Sequence, residues 1–70
     1  MRGVALIGCG AIGGAIAKAV DRGLVEAELL YVMDADRGRA ERLAESLRSQ
    51  RPAVAAGVEE VVRDPRVEVV

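Results

Sequence analysis

Near the start of this chain three glycines, Gly8, Gly10 and Gly13, punctuate the run Gly8-Cys9-Gly10-Ala11-Ile12-Gly13. The run constrains its surroundings because the hydrophobic pattern changes period across it. Before it stands Val4-Ala5-Leu6-Ile7, a continuous apolar stretch that suits a strand buried on both faces of a parallel sheet. After it, Ile12, Ala15, Ile16, Ala19 and Val20 recur at i, i+3, i+4, i+7 and i+8, the stripe of a helix packed on such a sheet. The spacing therefore predicts a strand, a tight glycine turn and a helix, in that order.

The same alternation continues. Asp21-Arg22-Gly23 ends the first helix, with Gly23 suited to the left-handed position after its last turn. Leu29-Leu30-Tyr31-Val32-Met33 is a second apolar run, closed by Asp34. A second helix is expected from Arg37 to Gln50, with Asp36 as its N-cap and Ala40, Leu43, Ala44 and Leu47 as its apolar stripe. Pro52 should close it, because a proline pushes the residue before it out of the helical region. Ala53-Val54-Ala55-Ala56 reads as a short strand, Val58, Val61 and Val62 as a short helix ended by Asp64-Pro65, and Val67 to Val70 as the start of another strand. The order β-α-β-α-β-α-β calls for an α/β fold, a parallel sheet with flanking helices of the Rossmann type. Because the pattern stops inside a strand, we expect residues 1–70 to be the N-terminal part of a dinucleotide-binding domain, with the substrate domain outside this sequence.

Composition narrows the chemistry. Ten Lys+Arg against eleven Asp+Glu give a net charge of -1, which lacks the basic excess of a nucleic-acid module. With no His and one Cys, the chain has no histidine chemistry, no disulfide and no cysteine-histidine zinc site. No apolar run approaches the roughly 20 residues of a membrane span. A lone free cysteine and an N-terminus without a secretory pattern lead us to expect a cytoplasmic protein.

In G-x-G-x-x-G placed between strand and helix, each glycine has a separate task. Gly8 permits the turn, Gly10 lets backbone approach a pyrophosphate, and Gly13 lets the helix close on the strand. The free N–H groups and positive dipole end at Ala11 and Ile12 then suit the phosphates of a dinucleotide. A kinase glycine loop lies on a hairpin, and a P-loop needs Gly-Lys-Ser/Thr; neither matches. Asp34 follows Gly13 by 21 residues, at the end of the second strand, where a carboxylate accepts hydrogen bonds from the adenosine ribose hydroxyls. That acid favours NAD over NADP, while Arg37 and Arg39 are positioned either to meet a 2′-phosphate or simply to solvate their helix. Cys9 reads as a small filler, Lys18 as solvated surface and Tyr31 as a core residue. No residue here combines a suitable pKa with a place beside the nicotinamide, so no catalytic residue is expected within the chain.

Ile7 to Gly13, the stretch AVDRGLVEAELLYVMD from Ala19 to Asp34, and the helix ending at Leu47 together resemble the start of the L-aspartate dehydrogenases, in particular their archaeal form. The resemblance implies a Rossmann domain that binds NAD or NADP, followed by an α/β domain that supplies the aspartate pocket and a catalytic histidine, in an enzyme that turns L-aspartate into iminoaspartate on a route to NAD. It carries over Gly8, Gly10, Ala11, Ile12 and Gly13 as pyrophosphate-binding and Asp34 as the ribose acid. A homo-oligomeric complete enzyme is expected. Homoserine dehydrogenase is similar through the loop, and Asp64-Pro65-Arg66-Val67-Glu68-Val69-Val70 resembles the same region of the glucose-fructose and inositol dehydrogenase group. A stand-alone dinucleotide-sensing module is the alternative from a different class.

Overall fold

The computed structural model of the chain describes residues 2–69. Strands β1 (Arg2–Ile7), β2 (Ala27–Met33), β3 (Ala53–Val54) and β4 (Val67–Val69) form one sheet in the order β3-β2-β1-β4, and every pairing is parallel. Helices α1 (Ala11–Asp21), α2 (Arg37–Ser46) and α3 (Val58–Val62) make the crossovers. Steps from β1 to β2 to β3 run one way along the sheet, and the step from β3 to β4 runs back over it. The first two helices therefore share one face and α3 takes the other. Ala17 and Val20 of α1 and Ala40 and Leu43 of α2 form one core with Ala27, Leu29 and Val32, while Val61 of α3 forms a second with Ala5 and Ala55.

An irregularity in β2 decides which side chains reach which core. Val4 pairs with Leu29 and Ala5 with Tyr31, so Leu30 is an extra residue in the ladder. Leu29 and Val32 consequently face the α1–α2 core, whereas Tyr31 and Met33 pack against the α3 core.

Three expectations are corrected. Helix α1 turns differently from its apolar stripe: Ala17 and Val20 are buried, but Ile12 is 80% exposed and Ile16 46%. Small residues let the helix axis come close to the sheet, and the bulkier isoleucines are left on its flank. Helix α2 stops at Ser46 and does not run to Gln50. Its end is set by Asp21, whose carboxylate accepts the backbone N–H groups of Arg48 (2.9 Å), Ser49 (2.7 Å) and Gln50 (2.9 Å). Those three donors are satisfied from α1, well before Pro52. The third strand is also shorter than expected, although the Ala55 N–H still donates to the Val32 carbonyl at 3.0 Å. Val70, expected in the last strand, lies outside the described residues.

The end of α1 follows expectation. Gly23 sits at φ +78°, its N–H donates to Val20 and that of Leu24 to Ala19, the paired bonds of a left-handed helix stop.

The three N–H donors hold the Asp21 carboxyl below its usual range, the bond from Arg48 foremost. Since the folded value is the lower one, the stabilisation is present above the unfolded carboxylate pKa of about 4 and is lost as pH falls through the folded value. Asp21→Asn is therefore expected to lower the melting temperature at neutral pH and to have less effect near pH 3. Melting curves at the two pH values test this, and an equal loss at both would assign the effect to something other than the charge.

Candidate functional site

Strand β1 feeds directly into the glycine loop. The Gly8 N–H donates to the Met33 carbonyl at 2.8 Å, so the loop leaves the sheet still tied to β2. At Gly8 the backbone takes φ +96°, a left-handed conformation that side chains disfavour. Five residues on, a Cβ at Gly13 would run into the Gly8 carbonyl oxygen, so the first turn of α1 closes on the loop only because Gly13 lacks one. At Gly10, by contrast, a Cβ would meet nothing within 4 Å, which leaves room for a ligand against the backbone.

Gly10 is the N-cap of α1, with no side-chain cap, and the first turn holds no acid. The first helical bond runs from the Gly14 N–H to the Gly10 carbonyl at 2.7 Å. The N–H groups of Ala11, Ile12 and Gly13 consequently have no acceptor within the helix. An uncapped helix start with its positive dipole end exposed is suited to an anion.

Asp34 stands one residue beyond β2 and faces this loop, its side chain 11% exposed. One carboxylate oxygen, Oδ2, accepts the Cys9 N–H at 2.7 Å, and Oδ1 accepts the Asp36 N–H at 2.9 Å. These bonds, the one from Cys9 foremost, hold the Asp34 carboxyl below its ordinary range, so it is ionised at neutral pH. Arg39 Nη1 lies 4.0 Å from Oδ2. The sequence brought Asp34 and the glycine loop together as a site, and in the fold they are bonded to each other.

Cys9 is buried, and its Sγ donates to the Met33 carbonyl at 3.4 Å. Burial and the Asp34 charge both push the thiol pKa up, the opposite of what a nucleophile needs. Asp36 caps α2, as expected, by accepting the Arg39 N–H.

Of the two arginines singled out in the sequence, Arg37 pairs with Glu41 at 3.7 Å, whereas Arg39 lines a groove of about 470 Å³ between α1 and α2, beside Cys9 and Gly10. Arg42 and Lys18 line the same groove, and no carboxylate does. Sequence reasoning passed over Arg42 and took Lys18 for solvated surface. Helical spacing was the available signal, because Arg39 and Arg42 are three apart and share a face.

A second groove of about 470 Å³ lies at the N-terminal ends of the strands, away from the loop, against Glu28, Tyr31, Arg51 and Arg66. Two of these side chains share one partner. Tyr31 donates its hydroxyl to Asp64 at 2.8 Å, and Arg66 grips the same carboxylate from Nε and Nη2. Tyr31 thus packs its ring as expected but also anchors Asp64, whose carboxyl is held low by Arg66 foremost and by Tyr31 after it. Among the described residues no group of three acids, cysteines or histidines is placed to hold a metal, and no helix is long and apolar enough to cross a membrane.

Comparison with known proteins agrees with this geometry. Over residues 2–70 the chain matches the oxidoreductase family with an NAD-binding Rossmann fold. An L-aspartate dehydrogenase of Methanosarcina mazei is 44% identical over 50 residues, covering 71% of this chain and 18% of that protein. Its counterpart from Methanosarcina acetivorans is 40% identical over 60 residues, covering 86% of this chain and 22% of that protein. The chain thus spans about a fifth of the length of these curated relatives. Among solved structures, the myo-inositol dehydrogenase of Lactobacillus casei in complex with NAD(H) and myo-inositol superposes over all of this chain and 21% of its own, with a TM-score of 0.86 and 27% identity. With its parallel sheet, its glycine loop at the end of β1 and its acid at the end of β2, the chain belongs to the family of oxidoreductases built on an NAD-binding Rossmann fold.

Proposed function

We propose that residues 1–70 are the N-terminal, cofactor-binding part of an L-aspartate dehydrogenase, which oxidises L-aspartate to iminoaspartate on a route to NAD. The observation that carries the reading is the Cys9–Asp34 hydrogen bond, which places an ionised carboxylate against an uncapped helix start. The substrate follows from the relatives, two of which are 40% and 44% identical L-aspartate dehydrogenases.

In this reading the N–H groups of Ala11, Ile12 and Gly13 hold the pyrophosphate. Gly8 and Gly13 shape the turn that presents them, and Gly10 keeps the space above it open. Asp34 has both oxygens anchored on backbone N–H groups, so its remaining lone pairs are fixed in direction for the ribose hydroxyls. NAD, once bound, supplies the hydride acceptor. The chain's own residues bind and orient it. The proton-transferring group and the aspartate pocket belong to a domain beyond these residues, in a cytoplasmic, homo-oligomeric enzyme.

The protein at its natural length is expected to reduce NAD with L-aspartate, followed as absorbance of NADH. A second reading rests on the NAD(H)-bound inositol dehydrogenase that superposes on the whole chain. Reduction of NAD with myo-inositol or homoserine and not with L-aspartate would overturn the aspartate assignment.

A further inference from the structure

A ribose-binding acid has no need to touch the phosphate loop, yet Asp34 is bonded to it. Its Oδ2 accepts the Cys9 N–H at 2.7 Å across a sequence separation of 25 residues, while Oδ1 accepts the Asp36 N–H at 2.9 Å. Cys9 lies between the two glycines whose backbone must be held; its own side chain is buried in the α1–α2 core, but the glycines on either side have none to pack. Gly8 and Gly10 are both exposed, and a Cβ on either would meet nothing within 4 Å. Besides the packing of the Cys9 side chain, the other hydrogen bonds at this point are from the Gly8 N–H and the Cys9 thiol, both to the Met33 carbonyl, at 2.8 and 3.4 Å. The Asp34 bond is the shortest of the three and the one that involves a full charge.

We infer that Asp34 is a positioning residue for the glycine loop as well as an acceptor for ribose: by gripping the Cys9 N–H it sets the backbone that presents the helix start to the pyrophosphate. Ribose recognition and pyrophosphate recognition are then coupled through one carboxylate. The inference rests on the cofactor-binding reading above. An amide at this position cannot replace the acid, because Asn has one acceptor oxygen for two N–H donors and would turn its NH₂ toward the other.

Two probes separate the roles. ADP carries the ribose hydroxyls and the two phosphates, whereas 2′,3′-dideoxy-ADP keeps the phosphates and lacks the hydroxyls. In the protein at its natural length, Asp34→Ala is expected to weaken ADP and also to weaken 2′,3′-dideoxy-ADP, the latter by about 10-fold, as loss of a charged hydrogen bond implies. Asp34→Asn should fall between wild type and Asp34→Ala, and it serves for the same comparison if the alanine variant does not fold. Without any ligand, exchange of the Cys9 amide should accelerate in both variants while the amides of β1 keep their protection. Unchanged binding of 2′,3′-dideoxy-ADP in the folded variants would overturn the positioning role and leave Asp34 as a ribose acceptor alone. Wild-type protein that binds neither probe would instead overturn the cofactor-binding reading itself.

Discussion

Gly13→Val is expected to abolish NADH binding and to lower the melting temperature, while Gly10→Val should abolish binding and lower the melting temperature by less. The two glycines look equivalent in a motif, but their surroundings differ. A side chain at Gly13 would run into the carbonyl oxygen of Gly8, which is backbone and cannot swing aside. Helix α1 would have to withdraw from the loop, and overpacking of this kind costs roughly 1–3 kcal/mol. Valine is a better helix former than glycine by a few tenths of a kcal/mol, too little to change the sign. At Gly10 the backbone is extended, with φ -76° and ψ -160°, and the space a Cβ would enter is open. Valine there should lose only an N-cap preference of about 1 kcal/mol, yet its branches would stand where the pyrophosphate must approach. NADH fluorescence titration and thermal melting of the two variants, side by side, test both halves. Retained NADH binding by Gly10→Val would move the pyrophosphate away from this backbone. A wild-type melt for Gly13→Val would mean that loop and helix are not held by their close approach.

What was legible in the sequence was what is local. The glycine turn, the acid after β2, the Asp36 cap and the Gly23 stop each depend on residues within a few positions of one another, and all four stand where the pattern put them. Features decided by distant parts of the chain were not readable. The sequence alone cannot show that Asp21, at the end of α1, will take the N–H groups of Arg48, Ser49 and Gln50 and so end α2 early. Nor does apolar periodicity reveal that α1 packs by its small residues and leaves Ile12 outward, because hydrophobicity and size favour different faces of that helix. The candidate site shows the same division. Its glycines and Asp34 could be picked out from the pattern, but the bond between Asp34 and Cys9, and the choice of Arg42 over Arg37 as companion to Arg39, depend on how two helices sit on a sheet.

That choice of arginines leads to an expected result for cofactor preference. Arg39→Ala and Arg42→Ala should each raise the ratio of the NADPH to the NADH dissociation constant, by about 10-fold, the loss expected for a charged hydrogen bond to phosphate. Asp34 alone would disfavour a 2′-phosphate by like charge. Yet Arg39, with its side chain 53% exposed, is only loosely paired with Asp34, 4.0 Å from its Oδ2, and faces the same groove as Arg42 and Lys18, whose lining holds no acid. Arg37, spent on Glu41, should change the ratio little when replaced by alanine. Since all three groove cations reach solvent, their attraction for the phosphate is screened, and raising the salt concentration should weaken NADPH more than NADH. The 2′-phosphate carries its second charge only above about pH 6, so the NADPH affinity should also fall below that pH while the NADH affinity holds. Titrations of both dinucleotides across salt and pH check these points together. Equal losses for the two cofactors in Arg39→Ala and Arg42→Ala would mean that the groove acts on the adenosine common to both and not on the phosphate that distinguishes them.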